Sequence, residues 1–264
     1  MLNKVWIALL YNMTINSYYM DRTSLKTYFG LIIFLSLMAA LFIFLPQNEF
    51  LPMQQLPASK PVIALANGGI MLIIYGGLGY LGLRLSAKLG FAGIWDSRVT
   101  NKKRFLIPSL AGIAIGVSFI LVDSLVSKSH NLGALPHPPF PSSLVASFVA
   151  GIGEELLYRL FFISFWVWLF AHVLFKGKFQ KGVFWTVAIA SALAFSAGHL
   201  PSLLMMHDLE SVQQIPPQLL GEIILLNSTL SIVAAWYLKK YGFLAAVMLH
   251  FTTDIVWHVL WGAF

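Results

Sequence analysis

The sequence contains no cysteine among its 264 residues, and only 10% of its residues are charged. The absence of cysteine excludes disulfides, iron–sulfur clusters, thiolate zinc sites and cysteine nucleophiles, so any nucleophile must be oxygen-based. The scarcity of charge, together with 58% hydrophobic residues and a mean hydropathy of +0.79, excludes an ordinary soluble domain. These proportions are typical of an integral membrane protein.

Long apolar runs occupy most of the chain, and each has about the 20 residues that a helix needs to cross a bilayer. The runs lie near 28–45, 62–85, 105–126, 142–175, 182–199, 217–238 and 243–262. They predict an all-α polytopic membrane helix bundle enclosing a polar cavity, with seven helices, or eight if the long run 142–175 breaks in two. We interpret 28–264 as a single transmembrane bundle and 1–27, with its scattered aromatic residues, as an N-terminal interfacial segment.

The basic residues concentrate in alternate loops of this arrangement. Fourteen of the 17 fall on one side of the predicted membrane, and only Lys60 and Lys128 fall on the other. The positive-inside rule therefore predicts a cytoplasmic N-terminus and a C-terminus on the opposite side. The net charge of +7 is explained by these topology signals, so we expect the lipid bilayer, and no nucleic acid, as the partner of the basic residues.

Three of the apolar runs contain ionisable side chains that hydrocarbon disfavours. An ionisable residue in a bilayer costs about 2.5–3.5 kcal/mol on insertion scales, so such residues are functional hypotheses by default. The residues are Glu154, Glu155, Arg159, His199, His250 and Asp254. We interpret them as one buried catalytic site.

Glu154 and Glu155 are neighbours, but their environments are expected to differ. Glu155 and Arg159 are four residues apart, so they share a helical face in the favoured ion-pair orientation. Glu154 points about 100° away and faces something else. A carboxylate in an apolar pocket can take a proton from water near neutral pH, which makes Glu154 the candidate base. The alternative is a structural Glu–Arg pair that braces two helices.

Two histidines lie on similar four-residue stripes. Ser191, Phe195 and His199 form one stripe, and His250 and Asp254 form another. A carboxylate that accepts a hydrogen bond from one imidazole nitrogen fixes the tautomer and leaves the other nitrogen free, an arrangement used for catalysis and for metal binding. The alternative is a polar pair that stabilises helix packing.

Three motifs together resemble a known family. Glu-Glu-x-x-x-Arg at 154–159, Phe-x-x-x-His at 195–199 and His-x-x-x-Asp at 250–254 are similar, in that order, to the motifs of the CPBP family. That family comprises the type II CAAX prenyl proteases and bacterial relatives that include bacteriocin-processing and bacteriocin-immunity proteins. The resemblance covers about 140–260.

The resemblance implies roles for the motif residues. Glu154 would activate a water with help from His199, and His250 and the residue at 254 would stabilise the oxyanion. Glu155, Arg159 and Phe195 would support the shape of the site. The family's third motif often ends in Asn, which can donate a hydrogen bond, whereas an ionised Asp254 can only accept one. Either Asp254 is protonated in its apolar setting, or it orients His250 and leaves that histidine as the main donor to the oxyanion. We favour the second alternative.

The predicted function is that of an intramembrane peptidase that hydrolyses a membrane-associated or lipidated substrate by a Glu-activated water, without a cofactor. The substrate is a peptide or protein, with prenylated tails and peptide leaders both allowed by the resemblance. A zinc peptidase is the nearest alternative, because His199, His250, Glu154 and Asp254 are all legitimate zinc ligands, although no His-Glu-x-x-His stretch exists. A transporter and a non-catalytic scaffold or immunity protein are the alternatives outside enzymes.

Overall fold

The computed structural model describes residues 22–47 and 58–263, and within these ranges the chain folds into seven long helices. We number them α1 (Arg22–Phe42), α2 (Lys60–Lys88), α3 (Lys102–Ser129), α4 (Ser142–Leu174), α5 (Gln180–Met206), α6 (Pro217–Tyr241) and α7 (Phe243–Ala263). Each helix is long and apolar enough to cross a membrane, and the described residues contain no strand. The all-α polytopic bundle is confirmed, and the protein is an integral, multi-pass membrane protein.

The long run at 142–175 forms one helix and not two, so the described bundle has seven spans. Within α4 the helix widens to π-helical geometry over Glu155–Ile163 and again over Trp168–Leu174. A similar stretch, Ile255–Leu260, follows Asp254 in α7. Such local widening is often found at functional sites, because it rotates the side chains that follow. The first stretch in α4 begins directly after Glu154 of the first motif, and the stretch in α7 begins directly after Asp254 of the third motif.

The predicted interfacial segment 1–27 lies mostly in residues 1–21, outside the described residues, and stays a prediction. The structure describes the chain from Arg22, where α1 begins. Helix α1 packs against α2 and α4. The N-terminal helices therefore buttress α4, which carries the first motif.

Helix α7 lies at the centre of the bundle and contacts α3, α4 and α6. Its packing against α3 requires glycine at Gly112, since a Cβ there would collide with Thr252 Oγ1 and the carbonyl oxygen of Leu249. Thr253 Oγ1 also donates a hydrogen bond to the carbonyl oxygen of Gly112 at 3.1 Å. This close approach holds the third motif in place deep inside the protein.

Two irregular segments cover one end of the bundle. The regular α-helix of α5 is interrupted at His199, between the segments Gln180–Gly198 and Leu200–Met206. The connection between α3 and α4 carries the Pro136-His137-Pro138-Pro139 sequence, and the backbone N–H of Leu135 donates a hydrogen bond to Asp123 Oδ1 at 3.1 Å. These two segments border a cavity in the interior.

Candidate active site

A cavity of about 230 Å³ lies between α4, α5, α6 and α7, and its wall contains all four predicted catalytic residues. These are Glu154, His199, His250 and Asp254. Much of the remaining wall is apolar, with Phe119, Leu203, Leu226 and Trp257 among its residues. The structure therefore brings together polar side chains from three helices, although Glu154 and Asp254 are 100 residues apart in the sequence.

Glu155 and Arg159 form the ion pair that their spacing predicts. Both side chains are fully buried, and Arg159 Nε lies 3.3 Å from Glu155 Oε1. The guanidinium of Arg159 stacks over the ring of Phe195, with its central carbon 4.2 Å from the ring centroid. The cation thus has a carboxylate on one side and an aromatic face on another, which offsets part of its desolvation.

His250 is held by Glu155, which differs from the expectation that Asp254 orients it. His250 Nδ1 lies 2.9 Å from Glu155 Oε1, within hydrogen-bonding distance. The Asp254 carboxylate lies 3.6 Å from His250 Nε2, which is too long for a good hydrogen bond. Because a carboxylate only accepts, Nδ1 carries the proton, and Nε2 points to the other carboxylates.

Glu154 is the freer of the two neighbouring carboxylates. Its side chain is 35% exposed, whereas that of Glu155 is fully buried. Glu154 Oε2 lies 3.8 Å from His250 Nε2 and has no hydrogen-bond partner among the described residues. The carboxylate of Glu154 therefore lines the cavity and also lies near Nε2 of His250, the ring nitrogen that faces the cavity.

His199 lines the same cavity and lies at the interruption of α5. Its Nδ1 lies 2.8 Å from the carbonyl oxygen of Phe195, and its ring contacts the Phe195 ring edge to face at 4.8 Å. Since a carbonyl oxygen can only accept, Nδ1 is the donor and Nε2 of the neutral ring carries a lone pair. The sequence places His199 nearer the outer face than Glu154, yet both line one cavity.

The comparison with protein families matches residues 136–256 to the model described as type II CAAX prenyl endopeptidase Rce1-like. These residues are similar to a domain of this family. All three motifs lie inside the matched range, so the resemblance to the CPBP family is confirmed. The match supports a CAAX-type intramembrane protease in general. Comparisons with curated proteins and with solved structures give no match.

The donor set of the Rce1-like domain does not fit a catalytic zinc site, which needs three protein ligands around one point. Within residues 22–47 and 58–263, no group of three or more histidine, aspartate or glutamate side chains has an arrangement that could hold a metal ion. We therefore derive no step through a metal.

Three polar residues of the cavity wall lie outside the three motifs of the Rce1-like domain. Ser202 Oγ donates to the carbonyl oxygen of His199 at 3.0 Å, and Asn227 Nδ2 donates to that of Ile223 at 2.9 Å. His258 lines the cavity as well, and its four-residue spacing from Asp254 is the signal that places it on the same stripe. No pattern in the sequence links Ser202 or Asn227 to the site.

Proposed function

We propose that this protein is an intramembrane peptidase that hydrolyses a peptide bond of a membrane-associated or lipidated substrate, using a water activated by Glu154. The observation that carries the proposal is the cavity, whose largely apolar wall brings the partly exposed carboxylate of Glu154 together with the imidazoles of His199 and His250. The largely apolar wall lowers the local dielectric, which strengthens charge interactions inside the cavity.

In the proposed first step, Glu154 takes a proton from a water while the water attacks the substrate carbonyl carbon. The unpaired Oε2 of Glu154 is available as the proton acceptor. The lone pair on His199 Nε2 accepts the second hydrogen of the water and so holds it in position. The carbon–nitrogen bond of the peptide then breaks, the protonated Glu154 gives its proton to the leaving amine, and no covalent intermediate with the enzyme forms.

His250 is the proposed donor to the oxyanion that develops on the substrate. This role requires a proton on both ring nitrogens, with Nδ1–H donating to Glu155 and Nε2–H directed at the oxyanion. The carboxylates of Glu154, Glu155 and Asp254 all lie within 4 Å of the ring and supply the negative charge that an imidazolium needs. Arg159 and Phe195 act through Glu155 and keep the shape of the site.

The Asp254→Asn variant tests whether Asp254 or Glu155 orients the ring. Because Glu155 makes the short contact with Nδ1, we expect the variant to retain cleavage within about tenfold of wild type in kcat/KM. The measurement is steady-state kinetics on the purified protein. A loss of about a hundredfold or more would assign the orientation to Asp254 and contradict the role of Glu155.

The substrate is proposed to be a peptide or protein segment that reaches the cavity from within or along the bilayer. Prenylated tails and peptide leaders are both compatible with the apolar wall. We also retain the proposal that the N-terminus is cytoplasmic, since the basic residues concentrate at one end of the helices.

The proposed function is tested with protein reconstituted in liposomes and matched peptides with and without a prenyl group. We expect cleavage at one bond, identified by mass spectrometry, and we expect it to persist after treatment with EDTA or phenanthroline, because no step uses a metal. Loss of cleavage on chelation, restored by added zinc, would favour the zinc peptidase instead. Absence of cleavage for every peptide would contradict the peptidase proposal.

A further inference from the structure

His258 lies in the cavity wall but outside the part of the chain that matches the family, which ends at 256. It follows His250 and Asp254 on the same face of α7, at successive intervals of four residues. The mechanism proposed above makes no use of it. His258 lies two helical turns away from His250, the proposed oxyanion donor. At that distance its imidazole cannot touch the reacting atoms, but it can contact another part of a substrate bound in the cavity.

The orientation of His258 is set by His137, from the proline-rich connection between α3 and α4. The two Nδ1 atoms lie 3.0 Å apart, and the rings meet edge to face. His137 also packs edge to face on Trp257 at 4.7 Å, and a Cβ at Gly262 would collide with its side chain. These contacts therefore fix the side chain of His137 against the end of α7.

The hydrogen bond between the two rings permits two proton arrangements. Burial lowers the pKa of His137 to about 4, so this ring is neutral near pH 7. If His258 donated from Nδ1, the proton of His137 would sit on its Nε2, which is buried and has no partner among the described residues. A buried N–H without an acceptor is rarer than a buried acceptor without a donor. The favoured arrangement therefore has His137 donating from Nδ1.

In this arrangement the proton of His258 is on Nε2, because its Nδ1 is the acceptor. The described residues offer Nε2 of His258 no hydrogen-bond partner, and the residue borders the cavity. The ring thus presents an N–H donor to whatever occupies the cavity. A peptide substrate carries the matching acceptor, a carbonyl oxygen, at every residue.

The distance from His250 indicates which carbonyl is reached. Eight residues of helix correspond to about 10–12 Å along α7, and an extended peptide covers this distance in about three to four residues. We propose that His258 binds the substrate by donating a hydrogen bond from Nε2 to a main-chain carbonyl oxygen three to four residues from the scissile bond, with His137 as the positioning residue that holds its tautomer. This proposal rests on the proposed peptidase function.

The test compares wild type, His258→Phe and His258→Gln on a series of peptides shortened one residue at a time on either side of the scissile bond. Wild type is expected to lose about tenfold in kcat/KM, mainly through KM, when the residue three to four positions away is removed on one side. His258→Phe keeps a ring of similar size without a donor. Its kcat/KM on the longest peptide should therefore already be about tenfold below that of wild type, and it should not fall again when the residue three to four positions away is removed. His258→Gln supplies an amide donor and should restore part of the dependence of kcat/KM on that residue of the peptide.

A second comparison addresses His137. His137→Phe preserves the packing on Trp257 and removes the Nδ1–H donor, so we expect a smaller rise in KM with kcat unchanged. Thermal unfolding in detergent checks that all variants fold. The proposal is overturned if His258→Phe retains the wild-type dependence on peptide length, or if it lowers kcat equally for every length, as a purely structural role would.

These outcomes are distinct from a failure of the peptidase proposal. In that case wild type itself would cleave none of the peptides, and the binding role of His258 would be rejected with it. If wild type cleaves and only the length dependence is insensitive to His258, the binding role alone is rejected and the roles of Glu154, His199 and His250 stand.

Discussion

The Glu154→Gln variant is expected to lose cleavage by about a thousandfold in kcat while the protein still folds, because the amide keeps the shape of the side chain and cannot take a proton from water. The side chain is partly exposed to the cavity and its Oε2 atom has no partner among the described residues, so the fold does not depend on its charge. The measurement is single-turnover cleavage by purified protein, with thermal unfolding as a check on stability.

Glu210→Gln provides the matched control, since Glu210 is an exposed glutamate in the connection between α5 and α6. It undergoes the same chemical change away from the cavity and should cleave at the wild-type rate. Cleavage by Glu154→Gln at the wild-type rate would rule out the Glu-activated water. The same variant separates a protease from a scaffold in cells, because a scaffold that only binds its partner should keep its cellular phenotype when the base is removed.

The Glu155→Leu variant is expected to be strongly destabilised, by about 3–5 kcal/mol, because it leaves the fully buried Arg159 guanidinium without its carboxylate. Stacking on Phe195 alone is worth about 0.5–2 kcal/mol and cannot replace the carboxylate. The free energy of unfolding, measured by denaturant titration in detergent micelles, checks this expectation.

The double variant Glu155→Leu with Arg159→Leu separates stability from activity. Removing both charges should recover much of the lost stability, because a buried ion pair can often be replaced by apolar residues. Activity should stay low, since His250 Nδ1 still lacks the acceptor that lies 2.9 Å away in the native protein. A double variant that cleaves as fast as wild type would show that Glu155 does not position His250.

Local features of the chain were accessible from the sequence because they depend on residues that are close together in it. Apolar runs of bilayer length predict helices whatever their neighbours are, and the structure has a helix at each run. The pairing of Glu155 with Arg159 follows from helical periodicity alone, and so does the different direction of Glu154. The three motifs indicated the family that the comparison then confirmed.

Contacts between distant helices were not accessible in this way. Helical periodicity connects His250 with Asp254, which share a turn, and it contains no information on Glu155, which is 95 residues away. The structure places the shorter contact across the helix interface, and we therefore propose the orienting role for Glu155 in place of Asp254. In the same manner, the structure places His199 in the cavity of Glu154, although the positions of the two residues along their apolar runs suggested different depths in the membrane.

The sequence by itself determined the membrane-embedded helices, the family and the residues that can carry protons, since hydropathy and helical spacing are local properties. Tertiary packing alone decided which carboxylate holds which imidazole, how His137 reaches His258, and that the polar groups share one cavity. The physical reason is that a hydrogen bond requires an approach of about 3 Å, and such an approach between helices depends on side-chain volumes along the whole interface, down to the missing Cβ atoms of Gly112 and Gly262.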